Sequence, residues 1–234
     1  TLKKISVSNW PTISNDIIKF SLLNKQLLLK INEIFSKWVQ NNILIDNRGA
    51  MRVDFKNLQN IFEKSNLFTI SIFGRIIKTV GGNEYAPKRE KTLNCLKHIF
   101  SPVFKNTNLG NVKISLKKSY LFFTRENRNI NFDIEIIKNK KYIFDGRFFL
   151  TSKYSGNLIS SEFHNFESVK NNNPFAECED DINSTIPFMS TLEGATIKPY
   201  FNICNGKSHI KTNSEGKSYE LSLINTTFMQ ALKF

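Results

Sequence analysis

"INFDIEIIK", residues 130–138, sets Ile130, Phe132, Ile134 and Ile136 in strict alternation with Asn131, Asp133 and Glu135. Successive side chains of a β-strand leave opposite faces, so this spacing predicts a strand with one apolar and one wet face. The stretches on either side carry the same signal. "NVKISLKKSYLFFT" (111–124) reads as a strand with Val112, Ile114 and Leu116 on one face. "KYIFDGRFFLT" (141–151) and "NLISSEFHNFESV" (157–169) continue the pattern, and the connecting "RENRN", "KNKK" and "SKYSG" are short and polar. Four strands joined in this way predict an antiparallel meander with one solvated face.

Upstream the period changes. In "SNDIIKFSLLNKQLLLKINEIFSKWVQN" (14–41), Phe20, Leu23, Leu27, Ile31, Ile34 and Trp38 recur every three or four residues, and Leu28 and Phe35 widen the stripe. This predicts a long helix, capped by Ser14, Asn15 or Asp16, whose apolar side docks on the sheet. A partner helix in another chain is the alternative. "ILIDNRGAMRVDF" (43–55) reads as two strands around an Asp-Asn-Arg-Gly turn, and "KNLQNIFEKS" (56–65) as a short helix. "LFTISIFGRIIKTV" (67–80) is β-branched and aromatic enough to predict a strand, with Gly74 marking a bulge. Gly81-Gly82 then serves as the joint into a helix opened by Pro87 and stopped by Ser101-Pro102.

Downstream, "KNNNPFAECEDD" (170–181) is the candidate linker, and "TIKPYFNIC", "SHIKT" and "SYELSLINTTFM" predict further strands. The expected architecture is α+β, with N-terminal helices packed on a largely antiparallel β meander. Residues 1–175 form the main domain. Residues 176–234 form a β-rich extension, which belongs either to that domain or beside it.

The 234 residues carry a net charge of +13. Lysine and arginine gain affinity for phosphate chains by releasing their counterions, so this excess points to a polyanionic partner. Abundant Asn, Lys, Ile and Phe also mark an AT-rich coding sequence, which discounts the lysines and makes the seven arginines more informative. The candidate contacts are Lys88, Arg89 and Lys91, gathered at a helix start where positive charge opposes the helix dipole. Basic residues interleaved with aromatics on the strands add Lys117, Lys118, Arg125, Arg128, Lys140, Lys141 and Arg147.

Other chemistries are poorly supported. The glycine pair lacks the lysine of a phosphate-binding loop, and no dinucleotide fingerprint occurs. His98, His164 and His209 are scattered away from one another, so no metal site is expected. Cys95 with His98 lacks an activating motif, and no cofactor is implied. Asp46, Asp54 and Lys56 resemble the carboxylates and lysine of a Mg²⁺-dependent nuclease or toxin. Three widely spaced cysteines, Cys95, Cys178 and Cys204, suit a reducing intracellular compartment. No run is long enough to cross a bilayer, and the start has no apolar core leading to a cleavage site. The leading expectation is therefore a basic, non-enzymatic protein that binds nucleic acid or another anionic surface, of the kind that serves viruses or mobile elements structurally. The nuclease is one alternative, and a homo-oligomeric assembly subunit is the other.

Overall fold

A computed structural model describes residues 12–160, 173–201 and 218–223. His164, His209, Cys204, most of the stretch after Ile159 and the "SHIKT" strand lie outside the described residues. The chain divides into two compact units, one holding the residues up to Asn41 and the other beginning at Asn42.

The first unit is the predicted long helix, α1 (Ile13–Asn42). Asp16 in its first turn accepts a hydrogen bond from the Thr12 hydroxyl at 2.6 Å. Phe35 and Val39 are buried, but most of the predicted apolar stripe is not. Ile17, Phe20, Leu23, Leu27, Leu28, Ile31 and Ile34 are each at least half exposed.

The second unit contains two sheets. Sheet 1 has the order β1-β2-β5-β4-β3, all antiparallel. Its strands are β1 (Ile43–Ile45), β2 (Met51–Asp54), β3 (Asn106–Leu109), β4 (Val112–Lys117) and β5 (Tyr120–Arg125). The predicted Asp46-Asn47-Arg48-Gly49 turn joins β1 to β2, and Gly49 supplies its positive φ of 87°. Three helices follow β2: α2 (Phe55–Lys64), α3 (Asn66–Val80) and α4 (Arg89–Ile99) precede β3.

α3 corrects the strand expected over 67–80. Its buried residues include Thr69, Phe73, Ile76, Ile77 and Val80, a three-to-four repeat that faces the sheet. Phe73 meets Phe123 of β5 edge-on, with ring centroids 5.5 Å apart. The β-branched residues that favour a strand in isolation are tolerated because burial outweighs propensity. Ser65 fixes the boundary twice: its N–H bonds the Ile61 carbonyl, closing α2, and its hydroxyl accepts from the Phe68 N–H, opening α3. Gly74 is helical, and a Cβ there would stand 3.5 Å from the Ala86 methyl. Gly81-Gly82 accordingly joins two helices rather than a strand and a helix.

Sheet 1 buries Met51, Val53, Val112, Ile114, Leu121 and Phe123 on one face. Its other face carries Arg52, Lys113, Ser115, Tyr120 and Phe122, in register across β2, β5 and β4. The stretch 111–124, expected as one strand, is a hairpin: Lys118 at φ 55° turns β4 into β5 without a glycine.

Sheet 2 has the order β6-β9-β10-β11-β12-β8-β7. Its strands are β6 (Glu135–Ile136), β7 (Lys141–Phe144), β8 (Phe148–Thr151), β9 (Gly156–Ile159), β10 (Phe188–Thr191), β11 (Thr196–Phe201) and β12 (Ser218–Leu223). All its pairs are antiparallel except β11 with β12. The alternation over 130–138 holds for side-chain direction more than for strand length. Only Glu135 and Ile136 are strand, yet Ile130, Phe132 and Ile134 also face the core of Phe144, Phe148, Leu150, Leu158, Met189, Ile197 and Leu221. β10, β11 and β12 hydrogen-bond directly with β8 and β9, so residues on both sides of position 175 build one sheet. The molecule is of the α+β class, its sheets almost wholly antiparallel.

From residue 173 onward the expected linker forms regular structure. Residues 173–185 include a 3₁₀ turn (Ala176–Cys178) and α5 (Glu179–Asn183). Phe175, Cys178 and Ile182 pack on Ala50 and Phe122, covering the second face of sheet 1.

Candidate functional site

Three of the seven arginines are structural. Asp145 and Gly146, at φ 51° and 62°, are the central residues of the turn from Phe144 to Arg147, closed by the Arg147 N–H on the Phe144 carbonyl at 3.1 Å, in the three-residue connection between β7 and β8. Asp-Gly suits such a turn because both positions need positive φ. The turn aims the Asp145 carboxylate at two guanidiniums. Arg125 donates from Nε at 2.9 Å and from Nη2 at 2.8 Å, and Arg147 donates from Nε at 2.6 Å. All three side chains are under a tenth exposed. Arg125 also donates to the Asn111 and Glu126 carbonyls, and Arg147 to the Thr185 carbonyl. Burial pulls Arg147 down to about 10, against the opposing pull of Asp145. Arg125 and Arg147, expected to contact nucleic acid, instead tie the end of sheet 1 to the turn of sheet 2.

The glycine joint belongs to the same node. A Cβ on Gly82 (φ 64°) would fall 2.1 Å from the Asp145 carbonyl oxygen, and one on Gly81 would fall 2.2 Å from the Gly110 carbonyl oxygen. Asn83 donates to that Gly110 carbonyl at 2.7 Å and accepts from Asn111 at 3.0 Å. The glycines therefore admit close backbone contact between three turns.

Arg48 is the third. Its guanidinium binds Asp46 at 2.8 and 3.0 Å, Glu179 at 3.0 Å and Asn183 at 2.7 Å. Burial opposes its charge, but the two carboxylates outweigh burial and hold its pKa above the ordinary value. The acid-rich stretch continues this matching along sheet 1. Asp181 takes Lys113 at 2.8 Å, Glu177 takes Lys118 at 2.6 Å, and the Glu177 carbonyl accepts from Lys117. Arg52 donates to the Pro174 carbonyl and lies 4.2 Å from the centre of the Tyr120 ring. Lys117 and Lys118 are thus engaged by the chain itself.

The nuclease residues do not converge. Asp46 stands opposite Ala50 at one end of the β1–β2 hairpin. Asp54 lies four residues further along β2, roughly 13 Å away at strand rise. Asp54 is moreover the cap of α2, accepting from the Asn57 N–H at 2.9 Å. Lys56 is exposed on α2. Among the described residues no cluster of His, Cys, Asp or Glu is arranged to hold a metal ion. Cys95 is half-buried, and burial pushes its thiol up to about 11. His98 sets its ring edge-on to Phe104 at 5.4 Å.

Of the candidate contacts, two groups remain exposed and outside these ion pairs. Lys88, Arg89 and Lys91 stand at the start of α4, where Lys88 is the cap residue and makes no side-chain capping bond. The second group lies at an end of sheet 2. The Asn139 N–H bonds the Ser152 carbonyl at 2.7 Å, and the Lys138 N–H bonds the Ser155 hydroxyl at 3.0 Å. These bonds clamp the β6–β7 turn beside the β8–β9 turn, bringing the exposed Lys138, Lys140 and Lys141 to the neighbourhood of exposed Lys153. Lys141 sits 3.7 Å from the centre of the Phe149 ring on one face of the sheet, and Lys140 lies 5.6 Å from that of Tyr142, which packs on the core at the other face. None of the four appears in an ion pair among the described residues. Sequence reasoning found Lys140 and Lys141 but missed Lys138 and Lys153, because only the turn-to-turn hydrogen bonds bring them close. Arg128 stands apart in the 3₁₀ turn after β5, 83% exposed and 3.5 Å from Glu126.

No helix among the described residues is long and apolar enough to cross a membrane. Compared with protein-family models, with curated proteins and with solved structures, the chain has no match.

Proposed function

We propose that the chain is a basic, non-enzymatic protein that binds nucleic acid through the lysine-rich end of sheet 2. The observation that carries this reading is the gathering of exposed Lys138, Lys140, Lys141 and Lys153 at the two adjoining turns, with the Phe149 ring beneath Lys141 on the outer face of the sheet. Lysines follow a phosphate backbone without regard to sequence, and the half-buried Phe149 ring beside Lys141 offers a base a stacking surface. The internal pairing of acids supports the reading further. Asp46, Asp145, Glu177, Glu179 and Asp181 are spent on Arg48, Arg125, Arg147, Lys113 and Lys118, which leaves these four lysines uncompensated by them. Lys88, Arg89 and Lys91 form a separate, secondary cluster.

Lys141 on the edge strand β7 also discourages pairing with other sheets, and the experiment separates that role from binding. Labelled single-stranded DNA and RNA are titrated against the protein over a range of salt. Replacing all four lysines by alanine is expected to flatten the slope of log K against log salt by roughly 3, at about 0.7 per lost phosphate contact. The triple variant at Lys88, Arg89 and Lys91 serves as the comparison. An unchanged slope and affinity in the four-lysine variant would overturn the assignment.

A further inference from the structure

We infer that α1 pairs in parallel with α1 of a second copy of this chain, as a two-stranded coiled coil. The inference is independent of the nucleic-acid reading and begins from spacing. Ile13, Ile17, Phe20, Asn24, Leu27, Ile31, Ile34 and Trp38 are separated by alternating steps of four and three, with no break over the helix. That alternation is the a/d seam of a heptad repeat, with Ile17, Asn24, Ile31 and Trp38 at a, and Ile13, Phe20, Leu27 and Ile34 at d. The middle of the seam faces solvent. Ile17, Phe20, Leu27, Ile31 and Ile34 are 50–68% exposed, and Asn24 is exposed among them.

The amount of surface fits a second copy. Together with Leu23 and Leu28, which flank the seam, these residues present on the order of 800 Å² per chain, the area that one partner of a standard interface contributes. A soluble protein rarely leaves a continuous apolar stripe of that size open to water.

Asn24 sets the orientation. In a parallel, in-register pair the two Asn24 side chains meet, so each amide finds the other as donor and acceptor. In an antiparallel pair every a residue faces a d residue, and Asn24 would be buried against Phe20, Leu27 or Ile34 with its amide unpaired. An antiparallel register also brings Lys37 near Asp16. That gain is small, because surface ion pairs contribute little and Asp16 already accepts from Thr12. In the parallel pair the flanking positions bring Leu23 beside Leu28 of the other copy, and no like charges oppose. The single buried asparagine at an a position fixes the register and the number of strands, and the area exposed per chain is that of one partner in a pair.

Light scattering and sedimentation on the full chain, at about 100 µM and at moderate salt, are expected to give the mass of two chains. The double variant Leu27→Glu, Ile31→Glu should give a single-chain mass. Both positions are exposed within one chain, so the thermal transition of the part beginning at Asn42 should be unaltered. Orientation is read by oxidation. Chains carrying Asn24→Cys should cross-link to one another through position 24. A mixture of Ile17→Cys chains with Ile34→Cys chains should give no mixed cross-link, since only antiparallel helices bring those positions together. A single-chain mass for the unaltered protein, with or without affinity for lipid vesicles, would overturn the pairing. So would three or more chains, a mixed 17–34 cross-link, or a two-chain mass that survives the double variant.

Discussion

Replacing Asp145 by Asn tests whether the two sheets are held together by charge. The substitution keeps the volume of the side chain and removes the only carboxylate that Arg125 and Arg147 share among their described partners. Both guanidiniums are at most 3% exposed at the side chain, so water cannot take the place of the lost charge. The new amide would also turn a donor group toward one of the two donors that Asp145 now satisfies. Removing one partner of a buried ion pair costs about 3–5 kcal/mol, and here the cost falls toward the upper end because two cations are stranded. For a chain of this size about 1 kcal/mol moves the midpoint by roughly 2–4 °C, so the expected fall in Tm is about 6–20 °C. Urea titration followed by circular dichroism gives the free energy directly, and calorimetry gives the midpoint. Adding Arg147→Met to Asp145→Asn should recover part of the loss, since it removes one stranded charge and fills its place with an apolar stem. A loss below about 1 kcal/mol would refute the reasoning, as would a double variant less stable than the single one.

Gly82→Ala should cost at least about 2 kcal/mol in urea titration, from left-handed strain together with the contact on the Asp145 carbonyl. Gly194→Ala, at φ 81° with nothing within 4 Å of its Cβ, should cost only the strain, and equal losses at the two sites would contradict the close approach at Gly82. Cys95 should alkylate at pH 8 about a hundredfold more slowly than after unfolding, because burial holds its thiol near 11 against an ordinary value of 9.0. Its sign in stability follows: between those two values the unfolded chain has released a proton that the folded chain keeps, so this group lowers stability as pH rises from about 9 to about 11. Peptide mass spectrometry reads the reaction at Cys95 alone, and equal rates in folded and unfolded protein would refute the burial.

The parts of the fold that were legible in the sequence are those where local pattern and tertiary burial agree. α1, α2, α4 and the hairpin at Asp46–Gly49 stand where periodicity and turn residues put them. The stretch 67–80 misled because a helix buried on several sides shows no polar stripe, and its β-branched residues then speak for a strand. Length was the better guide: fifteen residues exceed most strands. The turn at Lys118 escaped notice because it contains no glycine, asparagine or aspartate. The stretch 170–181 looked like a linker because its charges stand out and its anchors do not. Phe175, Cys178 and Ile182 are spaced at three and four, but so few residues carry no visible period, and the lysines they cover lie some sixty residues earlier in the chain.

The same distance in sequence explains the arginines. Against a lysine-rich background their scarcity suggested that each was retained for a purpose, and partner binding was the natural guess. For Arg48, Arg125 and Arg147 the purpose is internal, and it follows from side-chain chemistry. A planar guanidinium can engage a carboxylate through two N–H groups while donating others to carbonyls, as Arg125 does with Asp145, Asn111 and Glu126. An ammonium group is more strongly hydrated and offers no such fork, so lysine is the poorer choice inside and the easier one to leave in water. Burying the arginines with their carboxylates therefore removes matched charge from the surface and leaves an excess of lysine outside. A composition bias toward lysine would then act mainly where the fold tolerates it, on exposed turns such as those carrying Lys138, Lys140 and Lys153. Whether those lysines were gathered by selection for a polyanion or only permitted there is a question of coupling between them. Drift scatters cations, whereas the Asn139–Ser152 hydrogen bond brings two lysine-bearing turns together, and that arrangement is what the salt-dependence of binding would read.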